Sequence, residues 1–223
     1  MGTYAAVVLA GGAARRMGGV DKPALSVGGR SMRDRVLAAV GDAAPRVLVG
    51  PGDGVPDDVR VTREDPPGGG PVAATAAGLA LLDPDTTLVA LLAADLPLLT
   101  RAAIGDLLTH LAAAESPAPA APVDSPSGPR AGAVRAPEPV DGVCFVDADG
   151  RRQSLCGVWR VDALRAGLTG LAVERGGSLA GAPVRALLAR LRVREVAWAG
   201  AGPPPWFDCD TDEDVRRAEE WVR

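Results

Sequence analysis

The stretch VVLAGGAARRMGGVDKPAL, from Val7 to Leu25, leaves an apolar run through two adjacent glycines and then gathers Arg15, Arg16, Gly18, Gly19 and Lys22. Gly11 and Gly12 end the run without side chains, so backbone N–H groups can approach an anion closely. The arginines add cations, and Lys22 adds a compact one. Lys22 is the only lysine among 24 basic residues. In a chain that otherwise uses arginine, a lone lysine points to a position where an ammonium, not a guanidinium, is required. These are the ingredients of a phosphate-binding loop; the alternative is a plain glycine turn with solvated arginines. The Walker pattern is absent, because Asp21 and Pro23 flank Lys22. The dinucleotide pattern G-x-G-x-x-G does not follow the first apolar run either.

Two acidic stations accompany this loop. In LLAADLPLLT, Asp95 follows the apolar run Leu88–Ala93 and precedes Pro97. A charge at the end of a buried strand is costly unless it is paired or meets a cation. A helix-capping role is the competing reading, but Thr100 already stands at the expected cap. A metal carboxylate is therefore the better assignment. In WFDCDTDEDV, Asp208 and Asp210 alternate along an extended segment and share one face. Here Asp210 or Thr211 could equally cap the last helix.

The elements that must position these residues alternate between short apolar runs and helical patterns. Strands are expected at Tyr4–Ala10, Arg46–Val49, Val59–Thr62, Leu88–Ala93 and Arg194–Trp198. Helices are expected at Ser31–Val40, with Ser31 as N-cap, at Val72–Leu82, at Thr100–Ala114, at Leu164–Gly167, at Val184–Leu191 and from about Thr211. Acidic Asp212, Glu213 and Asp214 suit the first turn of the last helix. Strands alternating with helices imply a single α/β domain with a mostly parallel sheet. Asp149-Gly150 between apolar runs signals a hairpin, which would make the sheet mixed. Residues 115–140, rich in Pro and Ala, read as loop within the domain, with a short strand near Ala118–Val123.

Composition narrows the function classes. The 223 residues suit one α/β domain, and 47% hydrophobic content is ordinary for a globular chain. A net charge of -4 with scattered basic residues gives no support for nucleic-acid or membrane-surface binding. No uncharged apolar stretch reaches about 18 residues, so no membrane span is expected. MGTYAAVVLAGG has no basic leader region and reads as a first strand rather than a signal peptide. Cys144, Cys156 and Cys209 are odd in number and widely spaced. They read as reduced thiols in a cytoplasm rather than a disulfide framework or zinc site. His110 is the sole histidine, so chemistry resting on histidine is not expected.

The loop LAGGAARRMGGVDK closely resembles the L-A-G-G-x-x-x-R-M-G-x-x-x-K motif of GT-A-like nucleotidyltransferases, and most closely the molybdenum cofactor guanylyltransferase family. Further motifs spread the resemblance over nearly the whole chain. It implies a Rossmann-like GT-A fold with a nucleotide-binding half at about 1–114 and an acceptor-side half at about 115–223. It implies that Leu9, Ala10, Gly11, Gly12, Arg16 and Lys22 hold the nucleotide, with Gly11, Gly12, Arg16 and Lys22 on its triphosphate. Asp95 and Asp210 would ligate Mg²⁺, and Arg16, Lys22 and Asp95 would be the catalytic residues. Gly70-Pro71 partly matches a G-P-L-A-G segment that lines a guanine pocket, and Asp65 matches an acidic residue that contacts base or ribose. Gln153-Ser154-Leu155 stands where the family has Q-P-L. That makes Arg152 and Gln153 candidate acceptor contacts, although an exposed hairpin edge fits them equally well.

The implied reaction is transfer of GMP from GTP to molybdopterin with release of pyrophosphate, in a monomer or weak homo-oligomer. Departures from the family pattern at Val72, Ala74, Ser154 and Asp212 leave other readings open. These are a cytidylyltransferase, a sugar-phosphate nucleotidyltransferase, or a nucleotide-binding regulator without turnover.

Overall fold

The computed structural model describes residues 4–11, 22–114 and 139–223. Among them, strand β1 (Ala5–Leu9) is followed by a small hairpin, β2 (Ser26–Val27) and β3 (Arg30–Ser31), and by helix α1 (Met32–Ala39). Then come β4 (Arg46–Val49), β5 (Val59–Thr62), α2 (Pro71–Leu79), β6 (Leu88–Ala93) and α3 (Arg101–Ala113). The second half holds β7 (Gly142–Val146), β8 (Arg152–Arg160), α4 (Val161–Glu174), α5 (Val184–Leu188), β9 (Val193–Ala197) and α6 (Asp212–Trp221).

Seven strands form one sheet in the order β5-β4-β1-β6-β8-β7-β9. β1 pairs in parallel with both β4 and β6, and β9 in parallel with β7. β8 alone runs antiparallel, against β6 on one side and β7 on the other. The expected mixed, mostly parallel sheet is therefore present, and the Asp149-Gly150 turn joins β7 to β8. Because β8 is reversed, its amino end lies on the same sheet edge as the carboxyl ends of the other six strands.

Side chains alternate across the sheet as strand geometry requires. Ala6, Val8, Ala90 and Leu92 face α1 and α3 through Val36, Leu37, Ile104 and Leu107. Val7, Leu9, Val89 and Leu91 face α2, α4 and α5 through Val72, Leu164, Leu168 and Leu187. Burial on both faces explains why the central strands read as unbroken apolar runs.

A third, smaller cluster lies apart from these two layers. Val27, Met32, Leu98, Cys209 and Ala218 are buried together, with Leu25, Phe207, Val215 and Val222 packed against them. It joins the hairpin after β1, the turn after β6 and the segment leading into α6.

The strands at Arg46–Val49, Val59–Thr62 and Leu88–Ala93 have the bounds expected from sequence. Three helices differ. α2 starts at Pro71 and stops at Leu79, and α5 stops at Leu188. α4 covers Val161–Glu174 rather than Leu164–Gly167 alone. The strand expected near Ala118–Val123 lies outside the described residues. No helix among the described residues is long and apolar enough to cross a membrane.

Candidate functional site

Among the described residues, the candidates for chemistry gather around one edge of the sheet. β1 is clamped there on both sides: Ala94 N–H donates to Leu9 O at 3.0 Å, and Ala10 N–H to Val49 O at 2.8 Å. Leu9 and Ala10 are buried, and Gly11 is exposed where the strand ends. Gly12 and Arg16 lie outside the described residues. Lys22 opens a single 3-10 turn, Lys22–Ala24, whose Lys22 O accepts from Leu25 N–H at 3.0 Å.

Asp95 sits just past the carboxyl end of β6 and does not cap α3. Thr100 does that, its side chain accepting from Ala103 N–H at 3.2 Å. Asp210 lies just before α6. The N-cap there is Thr211, in a reciprocal capping box with Asp214. One oxygen of Asp214 accepts from Thr211 N–H at 2.8 Å and also from Asp210 N–H at 3.1 Å. Asp214 therefore fixes the backbone that carries Asp210. The sequence marks Asp214 only as a helix-dipole residue; its T-x-x-D spacing is the signal for this second role.

These segments bring three residues far apart in sequence into contact. Lys22 Nζ donates to Asp95 Oδ2 at 2.6 Å and to Asp210 Oδ1 at 2.7 Å. The lysine side chain is 19% exposed, against 24% for Asp95 and 54% for Asp210. Burial would lower the Lys22 pKa, but the hydrogen bonds and charges of Asp210 and Asp95 outweigh it and raise the value. Asp208 belongs to the same electrostatic cluster: burial, then the negative charges of Asp210 and Asp95, push its carboxyl above the usual range. Among the described residues, Asp95, Asp210 and Asp208 gather around the Lys22 ammonium. Their oxygen-only donor set suits a hard divalent cation such as Mg²⁺. Among the described residues no three acidic, histidine or cysteine groups form a closed metal site. A metal held here would rely on two carboxylates and take its other ligands from substrate and water, as Mg²⁺ commonly does.

The second loop of the edge precedes α2. Gly70 adopts φ +87° as the N-cap residue, a backbone conformation that suits glycine, and Pro71 occupies the first helical position. The carboxylate that meets the end of β1 is Glu64. A Cβ on Gly11 would lie 3.4 Å from Glu64 Oε1, which also accepts from Gly68 N–H at 3.1 Å. Asp65, the residue expected near base or ribose, lines a cleft of about 470 Å³ with Arg63, Ala73, Ala76, Ala77 and Ser178. Sequence alone does not separate these neighbours; the alternation of an extended segment is the available signal, because it sends adjacent side chains to opposite sides.

The β7–β8 hairpin supplies the remaining candidates. Arg152 Nε donates to Glu195 at 2.6 Å. Gln153 Nε2 donates to Asp147 Oδ2 at 3.1 Å and to Arg151 O at 3.3 Å. The other Asp147 oxygen accepts from the N–H groups of Asp149 and Arg151, at 3.0 and 2.8 Å. The β6–β8 pairing aligns Leu92 with Cys156. Continuing that register by three residues points Gln153 toward the level of Asp95.

All three cysteines are free and buried, and burial pushes the Cys144 thiol up to about 11 and the Cys209 thiol up to about 12. His110 lies in the last turn of α3, 3.7 Å from Asp106.

Comparison with known proteins places the chain in a family. Residues 6–195 match the family model described as a MobA-like NTP transferase domain. A molybdenum cofactor guanylyltransferase of Bradyrhizobium sp. (strain ORS 278) is 30% identical, over 96% of this chain and 90% of that protein. One of Acidiphilium cryptum (strain JF-5) is 32% identical, over 96% and 93%. Among solved structures, molybdopterin-guanine dinucleotide biosynthesis protein A of Archaeoglobus fulgidus superposes with a TM-score of 0.63 at 17% identity, covering 97% of both chains. The 2-C-methyl-D-erythritol 4-phosphate cytidylyltransferase of Thermus thermophilus does so with 0.63 at 21%, covering 98% of each. A Mycobacterium tuberculosis protein solved as a complex with manganese gives 0.62 at 19%, covering 98% of this chain and 99% of that one. These structural likenesses show the shared fold, and the sequence matches carry the kinship: the chain is a nucleotidyltransferase of the MobA-like NTP transferase family.

Proposed function

We propose that this enzyme transfers GMP from GTP to molybdopterin and releases pyrophosphate, with Mg²⁺ as cofactor. The observation that carries the reading is the single ammonium of Lys22 held between Asp95 and Asp210 at the carboxyl edge of a mostly parallel sheet, where α/β folds bind nucleotides. The relatives named molybdenum cofactor guanylyltransferase, together with Gly70-Pro71, favour guanine and the pterin acceptor.

In the proposed reaction a terminal phosphate oxygen of the acceptor bonds to the α-phosphorus of GTP. The bond from that phosphorus to the β-phosphate oxygen breaks, and the electron pair leaves with pyrophosphate. The attacking phosphate is already anionic, so no protein base has to take a proton. The protein's part is positioning and charge neutralisation. Lys22 and the glycine-loop amides beginning at Gly11 would meet the β- and γ-phosphates, and Arg16 would join them. Asp95 and Asp210 would hold Mg²⁺, which when bound offsets phosphate charge and orients the α-phosphate. Glu64 lies beside the glycine end of β1, and Asp214 braces the backbone of Asp210. On the acceptor side, Arg152 and Gln153 would contact molybdopterin from the reversed strand β8.

The test is parallel incubation with GTP, CTP, ATP and UTP, each with molybdopterin and Mg²⁺, with pyrophosphate release as the readout. GTP alone should support rapid release. Preference for CTP would move the assignment to a cytidylyltransferase, and nucleotide binding without release would indicate a regulator.

A further inference from the structure

The contact between Lys22 and the two carboxylates has a consequence for the order in which ligands bind. We propose that Lys22 and the divalent cation compete for the same oxygens of Asp95 and Asp210, so that the metal loads tightly only with a triphosphate that draws the ammonium away. The inference rests on the reading that these two carboxylates are the metal's protein ligands.

Nζ lies 2.6 Å from Asp95 Oδ2 and 2.7 Å from Asp210 Oδ1. A dication bound through those oxygens sits about 2.0–2.1 Å from each. It would then face the ammonium across shared ligands, in a partly desolvated corner where like charges repel more strongly than in water. The two cations cannot both hold their best contacts. The lysine is not held by the carboxylates alone, however. It hangs on a flexible four-carbon stem from the 3-10 turn Lys22–Ala24, whose backbone is fixed separately through the Lys22 O to Leu25 N–H bond. The ammonium can therefore swing while its backbone stays in place. A triphosphate offers the anionic oxygens that would make such a swing favourable. Two ligands then help each other: the nucleotide removes the competitor of the metal, and the metal neutralises the carboxylates that Lys22 has left. By linkage this coupling is reciprocal.

Arginine would serve this exchange poorly. Its planar fork binds a carboxylate through two parallel bonds and is less readily given up, whereas an ammonium is a point charge that moves between single oxygens. The competition thus also accounts for why the chain's only lysine stands here.

Manganese binding, followed by the electron paramagnetic resonance of free Mn²⁺, tests the proposal without any turnover. Titrations are run on the wild type and on Lys22→Met, with and without the α,β-methylene analogue of GTP. The wild type should bind Mn²⁺ at least about tenfold more weakly without the analogue than with it, a coupling of ordinary size. Lys22→Met should reverse sign between the two arms. Alone, it should bind Mn²⁺ about tenfold more tightly than the wild type, while the Mn²⁺–analogue complex should bind more weakly because a phosphate contact is gone. Lys22→Arg should remain a poor binder of Mn²⁺ alone. Thermal melts check that the variants fold, and Lys22→Gln repeats the measurement if Lys22→Met does not. Equal Mn²⁺ affinity of wild type and the neutral variants in the absence of nucleotide would overturn the competition. Asp95→Asn in the Lys22→Met background separates the two ideas. If it abolishes Mn²⁺ binding, the ligand assignment stands whatever happens to the competition. If it has no effect, the ligand assignment fails and takes the competition with it.

Discussion

Two parts of the sheet edge are built by opposite means. The corner that joins Lys22, Asp95 and Asp210 is assembled from three distant segments, and what holds those segments together is apolar. Leu25, Leu98 and Cys209 lie within three residues of the three charged groups, and all belong to the small cluster around Val27 and Met32. The β7–β8 hairpin is local, and what shapes it is polar: a single carboxylate, Asp147, caps the turn with one oxygen and holds Gln153 with the other. A site that must balance several charges gains from a rigid, water-excluding clamp beneath it, since packed interiors deform little. A recognition edge can be positioned more cheaply by hydrogen bonds within one turn. The contrast implies that damage to the first region should reach the chemistry, while damage to the second should alter acceptor binding.

The largest expected effect is on the charged corner itself. Lys22→Ala should lower turnover by about 10²-fold or more, the loss typical of a transition-state charge contact; turnover within a few-fold of wild type would remove Lys22 from the mechanism. The clamp comes next. Met32→Ala, at a fully buried position, should cost about 2 kcal/mol of stability and should depress turnover as well, although Met32 carries no charge. A melt shift with unchanged activity would show that the cluster does not set the site. On the hairpin, Gln153→Leu should raise the acceptor KM about tenfold, the worth of one lost hydrogen bond in a desolvated contact, and leave the GTP KM alone. Asp214→Ala should remove about 1 kcal/mol with the capping box and reduce turnover modestly through Asp210.

The smallest effect concerns pH and lies outside both regions. Burial favours the neutral form of Asp141, but its hydrogen bonds to the Arg192 side chain and backbone outweigh burial and hold the carboxyl below the usual range. A group depressed in this way contributes stability above the ordinary carboxylate pKa and loses it as pH falls through its folded value. The melting-temperature gap between wild type and Asp141→Asn should therefore be widest near neutral pH and close in acid. A gap that widens in acid would contradict the sign.

What the sequence discloses follows the same division between local and distant. Strands buried on both faces announce themselves as apolar runs, and the caps Ser31 and Thr100 lie where their side-chain chemistry puts them. α4 reads too short from sequence because Gly167 looks like a terminator. In the structure that glycine lets α5 approach, since a Cβ there would stand 3.0 Å from Leu187. The β2–β3 hairpin is easily missed because each strand is two residues long, although Gly28-Gly29 between Val27 and Arg30 is a hairpin signal. Lys22, Asp95 and Asp210 are legible as residues with chemistry because each is out of place locally: a lone lysine, a charge ending a buried strand, an acidic alternation. That they meet is supplied by resemblance alone, because contact across 73 and 188 residues of separation leaves no local trace. Glu64 and Asp214 stay hidden because each acts through backbone that other parts of the fold must first place.

Cys209 adjoins Asp210 and has no exposed surface. Burial, reinforced by the nearby acidic residues, pushes its thiol up to about 12. A thiol so protonated and so enclosed is unreactive toward alkylating reagents. Its labelling would then mark the moments when the C-terminal helix lifts from the hairpin, and the labelling rate would serve as a clock for how often the cluster comes apart.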